Sequence, residues 1–341
     1  MAPRKTRSSA KEGAPDNESQ EAERTQDVRE EGQSEGQSEG QSECQSEGSE
    51  DTKTAGDKRK KSPPPDEANK VSKAKKSDQA TKAHDTEGSE STPSPEQVLK
   101  FLLSDAALDV CRPEDEAEYV SEHGKETTTY AQLLSPFEEL LCAVILSRPI
   151  SHRLGLRTIR TILNPPYEFR DADAIKSAGA EKIHQALDDA RTQHKGKTTE
   201  EIELIAEAVT NNDWHDDLEK IRKQTKNAVD EEREVLRKSI KGLGKTGLNI
   251  FYRRVQWLWD EAYPFIDART QDSLEKLGLP KQADELVEFI EKKWQNVKFD
   301  DSGEFNDDER KRRAFVLLLE RAVGSDLEKR TDDVLAAAVR S

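Results

Sequence analysis

The first Leu, Ile, Phe, Tyr or Trp in this chain is Leu99. Ahead of it the large apolar side chains are Met1, Val28, Val71 and Val98. A segment so poor in apolar surface cannot offset the entropy of ordering its own backbone. Residues 1–95 are therefore expected to be a disordered, low-complexity tail, and folding falls to residues 96–341. All 9 Phe, 4 Trp and 5 Tyr lie in that second part. Roughly 245 residues suffice for one well-filled domain or two small lobes sharing a cleft.

Several classes are excluded at once. No run approaches 18 apolar residues, so a membrane partner is not expected, and Met1-Ala2-Pro3-Arg4-Lys5 lacks the apolar run of a secretory signal. Cys44, Cys111 and Cys142 are too few and too far apart for a disulfide framework or a four-cysteine metal site. No metal and no organic cofactor is expected. The net charge is -16 and is acidic in both parts, with 16 Lys and Arg against 21 Asp and Glu up to residue 95. That balance disfavours a generic nucleic-acid coat and leaves room for one basic face on an acidic body.

Residues 31–48 repeat Glu-Gly-Gln-Ser with Cys44 replacing one glycine, a solvated period that buries nothing. Lys58-Arg59-Lys60-Lys61, followed by Lys73 and Lys75-Lys76 beyond Pro63-Pro64-Pro65, suits a bipartite nuclear import signal. It would equally be a solvated charge run. The expected location is the nucleus.

The remainder reads as all-α, about ten helices with no sheet of consequence. Pro136 to Leu146 is apolar on nearly every side after Ser135, a cap and first-turn proline that mark a helix start and a buried bundle centre. Leu156, Ile159, Ile162 and Leu163 have helical spacing up to Asn164-Pro165-Pro166. Further helices are marked by Ile183 and Leu187, by Ile202 and Ile205 after Thr198 and Thr199, by Leu286 to Trp294, and by Phe315 to Leu319. His194-Lys195-Gly196-Lys197-Thr198 reads as a basic loop ahead of one of them, either a phosphate contact or solvated. Trp257 and Trp259 read as core residues before base-stacking ones.

Two stretches carry chemistry. In Lys241-Gly242-Leu243-Gly244-Lys245-Thr246-Gly247 a helix ends at Lys241, turns through Gly-Leu-Gly, and restarts near Lys245. The glycines permit positive φ and close backbone approach. Leu243 pins the turn inward, and the free N–H groups of the new helix, with Lys245, offer an anion site. The bland alternative is an ordinary turn. The second stretch, Tyr263-Pro264-Phe265-Ile266-Asp267-Ala268-Arg269-Thr270, places Asp267 25 residues after Gly242 and ahead of a new helix. There it is either a helix N-cap or a carboxylate facing the hairpin.

From about Ser135 to Leu279 these blocks together resemble the helix–hairpin–helix DNA glycosylase superfamily, the group of endonuclease III. Pro136-Phe137-Glu138-Glu139-Leu140-Leu141 to Ser147 is similar to its apolar signature helix. Gly242-Leu243-Gly244-Lys245-Thr246-Gly247 resembles its hairpin, in a form like that of the methyl-CpG-linked thymine glycosylases. Asp267 falls where the family places its essential aspartate. The flanks, 96–134 and 281–341, match nothing recognised.

The resemblance implies a two-lobed helical domain that binds double-stranded DNA as a monomer. It implies base excision repair: a damaged or mismatched base is flipped out and its N-glycosidic bond hydrolysed, with Asp267 stabilising the oxocarbenium-like sugar. Gly242 to Gly247 would hold the DNA backbone. Bifunctional members carry a lysine nucleophile at the fifth hairpin position, which is Thr246 here, so a monofunctional hydrolase without lyase activity is expected. Lys245 lies about 100° around the helix from that position. The iron–sulfur loop is absent. The glutamine that fills the gap left by the flipped base has no counterpart, and Arg148 or His152 is the candidate wedge or pocket residue. The family's Thr-His after the aspartate reads Ala268-Arg269. The competing expectation is a catalytically silent DNA-binding or scaffold protein that keeps the hairpin.

Overall fold

The computed structural model describes residues 92–124, 126–299 and 303–341. The repeat with Cys44 and both basic clusters of the import motif lie outside the described residues. Among the described residues there is no strand, and no helix is long and apolar enough to cross a membrane. The helices are α1 (Pro95–Leu102), α2 (Leu108–Cys111), α3 (Glu114–His123), α4 (Pro136–Leu146), α5 (His152–Leu163), α6 (Ala172–Asp189) and α7 (Lys195–Asn211). They continue with α8 (Glu219–Thr225), α9 (Val229–Ser239), α10 (Lys245–Val255), α11 (Ala268–Lys276), α12 (Ala283–Lys293), α13 (Asp307–Leu327) and α14 (Thr331–Arg340).

The all-α expectation holds, with more helices than the ten expected. The excess comes from short elements such as α2 and α8, which span too few turns to show a period. Trp294, expected inside the helix of Leu286, sits in a 3-10 turn just beyond α12.

The local start signals act as read. Ser135 accepts from the Glu138 N–H while the Glu138 carboxylate reaches back to the Ser135 N–H, which closes a capping box on α4 with Pro136 in its first turn. Ser94 with Gln97 and Asn306 with Glu309 do the same for α1 and α13.

Two apolar cores form. The first gathers α4 to α10 around Phe137, Leu140, Leu141, Ile159, Ile205 and Phe251. The second joins α1 and α2 to the C-terminal helices through Leu99, Leu102, Leu274, Leu286, Phe315 and Val334. Parts of the two unmatched flanks thus share one core: α1 packs on α14 and α13, although more than 200 residues separate Leu99 from Phe315. From α1 onward the described residues begin in the second core, build the first, and return. Asp267 lies on the return, where the α10 to α11 connection passes from one core to the other.

Candidate active site and nucleic-acid interface

Two of the three hairpin glycines are required by their surroundings, each for a different physical reason. α9 ends at Ser239, two residues before the expected Lys241, and Gly242 takes φ +99°, a left-handed value that penalises any Cβ. A Cβ there would also stand 2.6 Å from the carboxylate of Glu201 on α7. Leu243 points inward and is buried. At Gly247 a Cβ would meet the Leu243 side chain at 2.8 Å, so this glycine lets the first turn of α10 close on the turn and on the end of α4. Gly244, the N-cap of α10, is extended at φ -89° and a Cβ there would meet nothing within 4 Å. No side chain caps the α10 amides beside it.

α10 then carries one face into a cavity of about 430 Å³. Thr246, Asn249, Ile250 and Arg253 line it at helical spacing, opposite Asp267 and the segment Ser147 to His152. Lys245 is exposed and is not among the lining residues. The volume falls in the range of small-molecule sites.

Asp267 fills both roles left open by its sequence. It is the N-cap of α11: Oδ1 accepts from the Thr270 N–H at 3.2 Å, and Oδ2 accepts from the Thr270 hydroxyl at 2.9 Å. It also lines the cavity. Oδ2 further accepts from Arg253 Nη1 at 3.0 Å, while Arg253 Nη2 donates to Glu320 of α13 at 3.3 Å. Burial pushes the Asp267 carboxyl up, but the Arg253 guanidinium and the Thr270 donors outweigh it and hold it below the usual carboxylate range. Asp267 is therefore ionised at neutral pH. Arg253 is thus held between two carboxyl groups, Asp267 and Glu320.

Arg148 and His152 both reach the cavity wall, and neither projects from the surface. Arg148 donates to Glu201 at 2.9 Å, and His152 Nδ1 lies 2.7 Å from Glu328 Oε1. The expected basic loop at 194–198 is corrected: α7 begins at Lys195, and Lys195 is ion-paired with Asp188. Trp259 is core, edge-on to Phe251 and Tyr252, whereas Trp257 is only half-buried against the second core.

Arg253, Glu201, Glu320 and Glu328 were not singled out from the sequence. Arg253 had a signal, because it lies seven residues after Thr246 and so on the same helix face. The three glutamates had none, since each meets its partner from a distant helix.

Around the cavity mouth and the turn, Lys241, Lys245 and Arg269 are exposed and have no carboxylate partner among the described residues. Many cations elsewhere are paired, as in Lys276 with Asp326 and Arg222 with Glu261.

Behind the imidazole of His152 is a second, small chamber of about 30 Å³, walled by Glu116, Tyr130, Arg112 and Arg321. Both Glu116 oxygens, Tyr130 Oη and one nitrogen of each arginine are buried without a hydrogen-bond partner among the described residues. The space admits about one or two water molecules. Desolvation raises the Glu116 carboxyl above its ordinary 4.5, although Arg112 and Arg160 pull it down. A carboxyl raised on folding lowers stability once pH exceeds its unfolded value, and the loss grows until the folded value is passed. Glu116→Gln is therefore expected to match the parent near pH 4 and to exceed it by about 1 kcal/mol at pH 7–8 in urea denaturation. Equal stability across that range would exclude a raised carboxyl.

Comparison with protein-family models, with curated proteins and with solved structures gave no match.

Proposed function

We propose that this chain is a monofunctional DNA glycosylase that acts in nuclear base excision repair on double-stranded DNA, as a monomer. The observation that carries this reading is that one cavity is walled both by Thr246 of the glycine hairpin and by the ionised carboxylate of Asp267. The uncapped amides at the start of α10, with Lys241, Lys245 and Arg269, would hold the sugar–phosphate strand at the cavity mouth. A nucleotide flipped out of the duplex would enter the cavity. Asp267 would then lie against the anomeric carbon and stabilise the positive sugar as the C1′–N bond breaks; water adds to C1′ and leaves an abasic site. Arg253 does not cancel that effect, because Glu320 takes up part of its charge. Lys245 is not among the residues that line the cavity, which supports hydrolysis without a Schiff base.

A second reading, a catalytically silent DNA-binding module, is favoured by the same Arg253 contact, which occupies Oδ2 of Asp267. The test is excision by the full chain on duplexes carrying uracil, mismatched thymine, alkylated or oxidised bases, with alkali to cleave abasic sites. Strand cleavage after alkali supports the glycosylase; tight binding without product supports the silent module and sinks the enzyme.

The hairpin separates the DNA role from folding. Gly244→Ala puts a methyl into open space and weakens only the N-cap, so a loss of about 0.5–1 kcal/mol is expected. Duplex affinity should fall about tenfold, because the methyl stands where the strand must approach. Gly242→Ala should instead lose about 1–3 kcal/mol through its positive φ and the Glu201 contact. Fluorescence anisotropy and thermal melting of both variants check this; unchanged affinity in Gly244→Ala would remove the strand from the hairpin.

A further inference from the structure

An uncharged base that leaves with the electron pair of its glycosidic bond departs as an anion and must gain a proton, and the cavity offers few groups able to give one. Ser147, Ser151 and Thr246 hydroxyls are too weakly acidic, and the three arginines Arg148, Arg253 and Arg269 keep their protons. Asp267 is ionised and bound to Arg253, and Glu320 is committed to the same guanidinium. His152 remains, among the described residues the one imidazole on the cavity wall and a side chain able to carry and give up a proton.

Its setting is built. The ring is almost wholly buried at the start of α5, with 8 % of the side chain exposed. Nδ1 faces Glu328 Oε1 at 2.7 Å, from the end of α13, 176 residues away. That contact joins a helix of the first core to one of the second. The Glu328 contact on Nδ1 fixes the ring and leaves Nε2 as the nitrogen that can hand a proton elsewhere. The imidazole walls both the cavity and the chamber behind it. Around it stand Glu328, Glu320 and Arg321 of α13, Glu116 of α3 and Arg112 just before α3.

From this arrangement we infer that His152, oriented by Glu328, is the proton donor to the departing base. The inference rests on the glycosylase reading above. As the C1′–N bond breaks, its electron pair goes to the base, and the base takes the proton of His152 Nε2, leaving a neutral imidazole. Water adds to C1′ and releases one proton to solvent, from which His152 is recharged. The net reaction is hydrolysis, with one water consumed and one abasic site and one neutral base formed. His152 acts on the substrate directly; Glu328 is a positioning residue.

The test uses His152→Asn in the full chain. The Asn amide can still donate to Glu328 from the Nδ1 side, so the link between the cores is kept while the acid is lost. Single-turnover excision is measured on thymine, uracil and 5-fluorouracil opposite guanine; 5-fluorouracil leaves as the most stable anion and needs a proton least. The expected loss is about 10–100-fold on thymine and uracil and under about fivefold on 5-fluorouracil, with duplex affinity and melting temperature retained. Glu328→Gln should show the same graded pattern at smaller size. A uniform loss on all three bases, or no loss, overturns the assignment. For any other base that leaves as an anion, the same 10–100-fold loss is expected and its absence overturns it. Activity confined to N-alkylated purines, which leave neutral, overturns it as well. A wild-type chain that binds duplexes but excises nothing overturns the glycosylase reading itself.

Discussion

Asp267→Asn is expected to reduce base excision by about 10²–10⁴-fold while the protein still folds and binds duplex DNA. Asparagine is as good an N-cap as aspartate, so its side-chain oxygen can still accept from the Thr270 N–H at the head of α11. What is lost is the negative charge on the cavity wall. Arg253 keeps Glu320 as a partner, so the variant avoids an isolated buried cation, and the expected loss of stability is about 1–3 kcal/mol. The pH dependence has a definite sign. A carboxyl lowered on folding contributes stability above its unfolded value, ordinarily 3.8, and loses it as pH falls through the folded value. Parent and variant should therefore converge in urea denaturation as pH falls from 3.8 through the lowered folded value, and differ most near neutrality. Excision by Asp267→Asn at the parental rate would remove the carboxylate from the chemistry and leave Asp267 as a cap alone.

The difference between what the sequence discloses and what it hides follows the range of the interactions. The start of α4, the inward Leu243 and the capping geometry of Asp267 are set by residues within a few positions of each other, and all were readable. The hairpin glycines were readable as a group, but their separate reasons were not. Gly242 depends on Glu201, which is distant in sequence, whereas Gly247 is set chiefly by the Leu243 side chain four residues away. The start of α7 was misplaced for a physical reason. Thr198 and Thr199 look like cap residues, yet the Thr198 hydroxyl donates back to the His194 carbonyl within the helix, and His194 supplies a left-handed entry with no side-chain cap. The second core was invisible because α1, α13 and α14 show helical periods without showing partners. The site inherits that gap: Glu320 and Glu328 reach the cavity from α13, in a flank that matched no pattern.

Breaking the pair between Glu139 and Arg254 is expected to be the most damaging change to the fold. Both side chains are fully buried. Arg254 Nε donates to both Glu139 oxygens at 3.1 and 3.0 Å, Nη2 donates to the Gln132 carbonyl, and the guanidinium lies 4.2 Å from the Tyr130 ring centre. Burial opposes the charge on Arg254, but Glu139 outweighs it and keeps the guanidinium protonated. Glu139 in turn accepts from the Leu134 N–H at 3.0 Å. Glu139→Met alone leaves an uncompensated buried guanidinium, and a loss of about 3–5 kcal/mol is expected; Arg254→Met leaves a buried carboxyl that desolvation already pushes up, so its loss is expected to be smaller. The double replacement by Met removes both charges and fills similar volume, so it should recover most of that loss. A double-mutant cycle in urea measures the coupling; additive losses would show that the pair is not the source. The pair ties α4 to α10, which presents Thr246 and Arg253 to the cavity. The double variant therefore isolates what the pair does for the site. If it is as stable as the parent but binds duplex DNA less well, the buried charges set the position of α10 and, through it, of the hairpin.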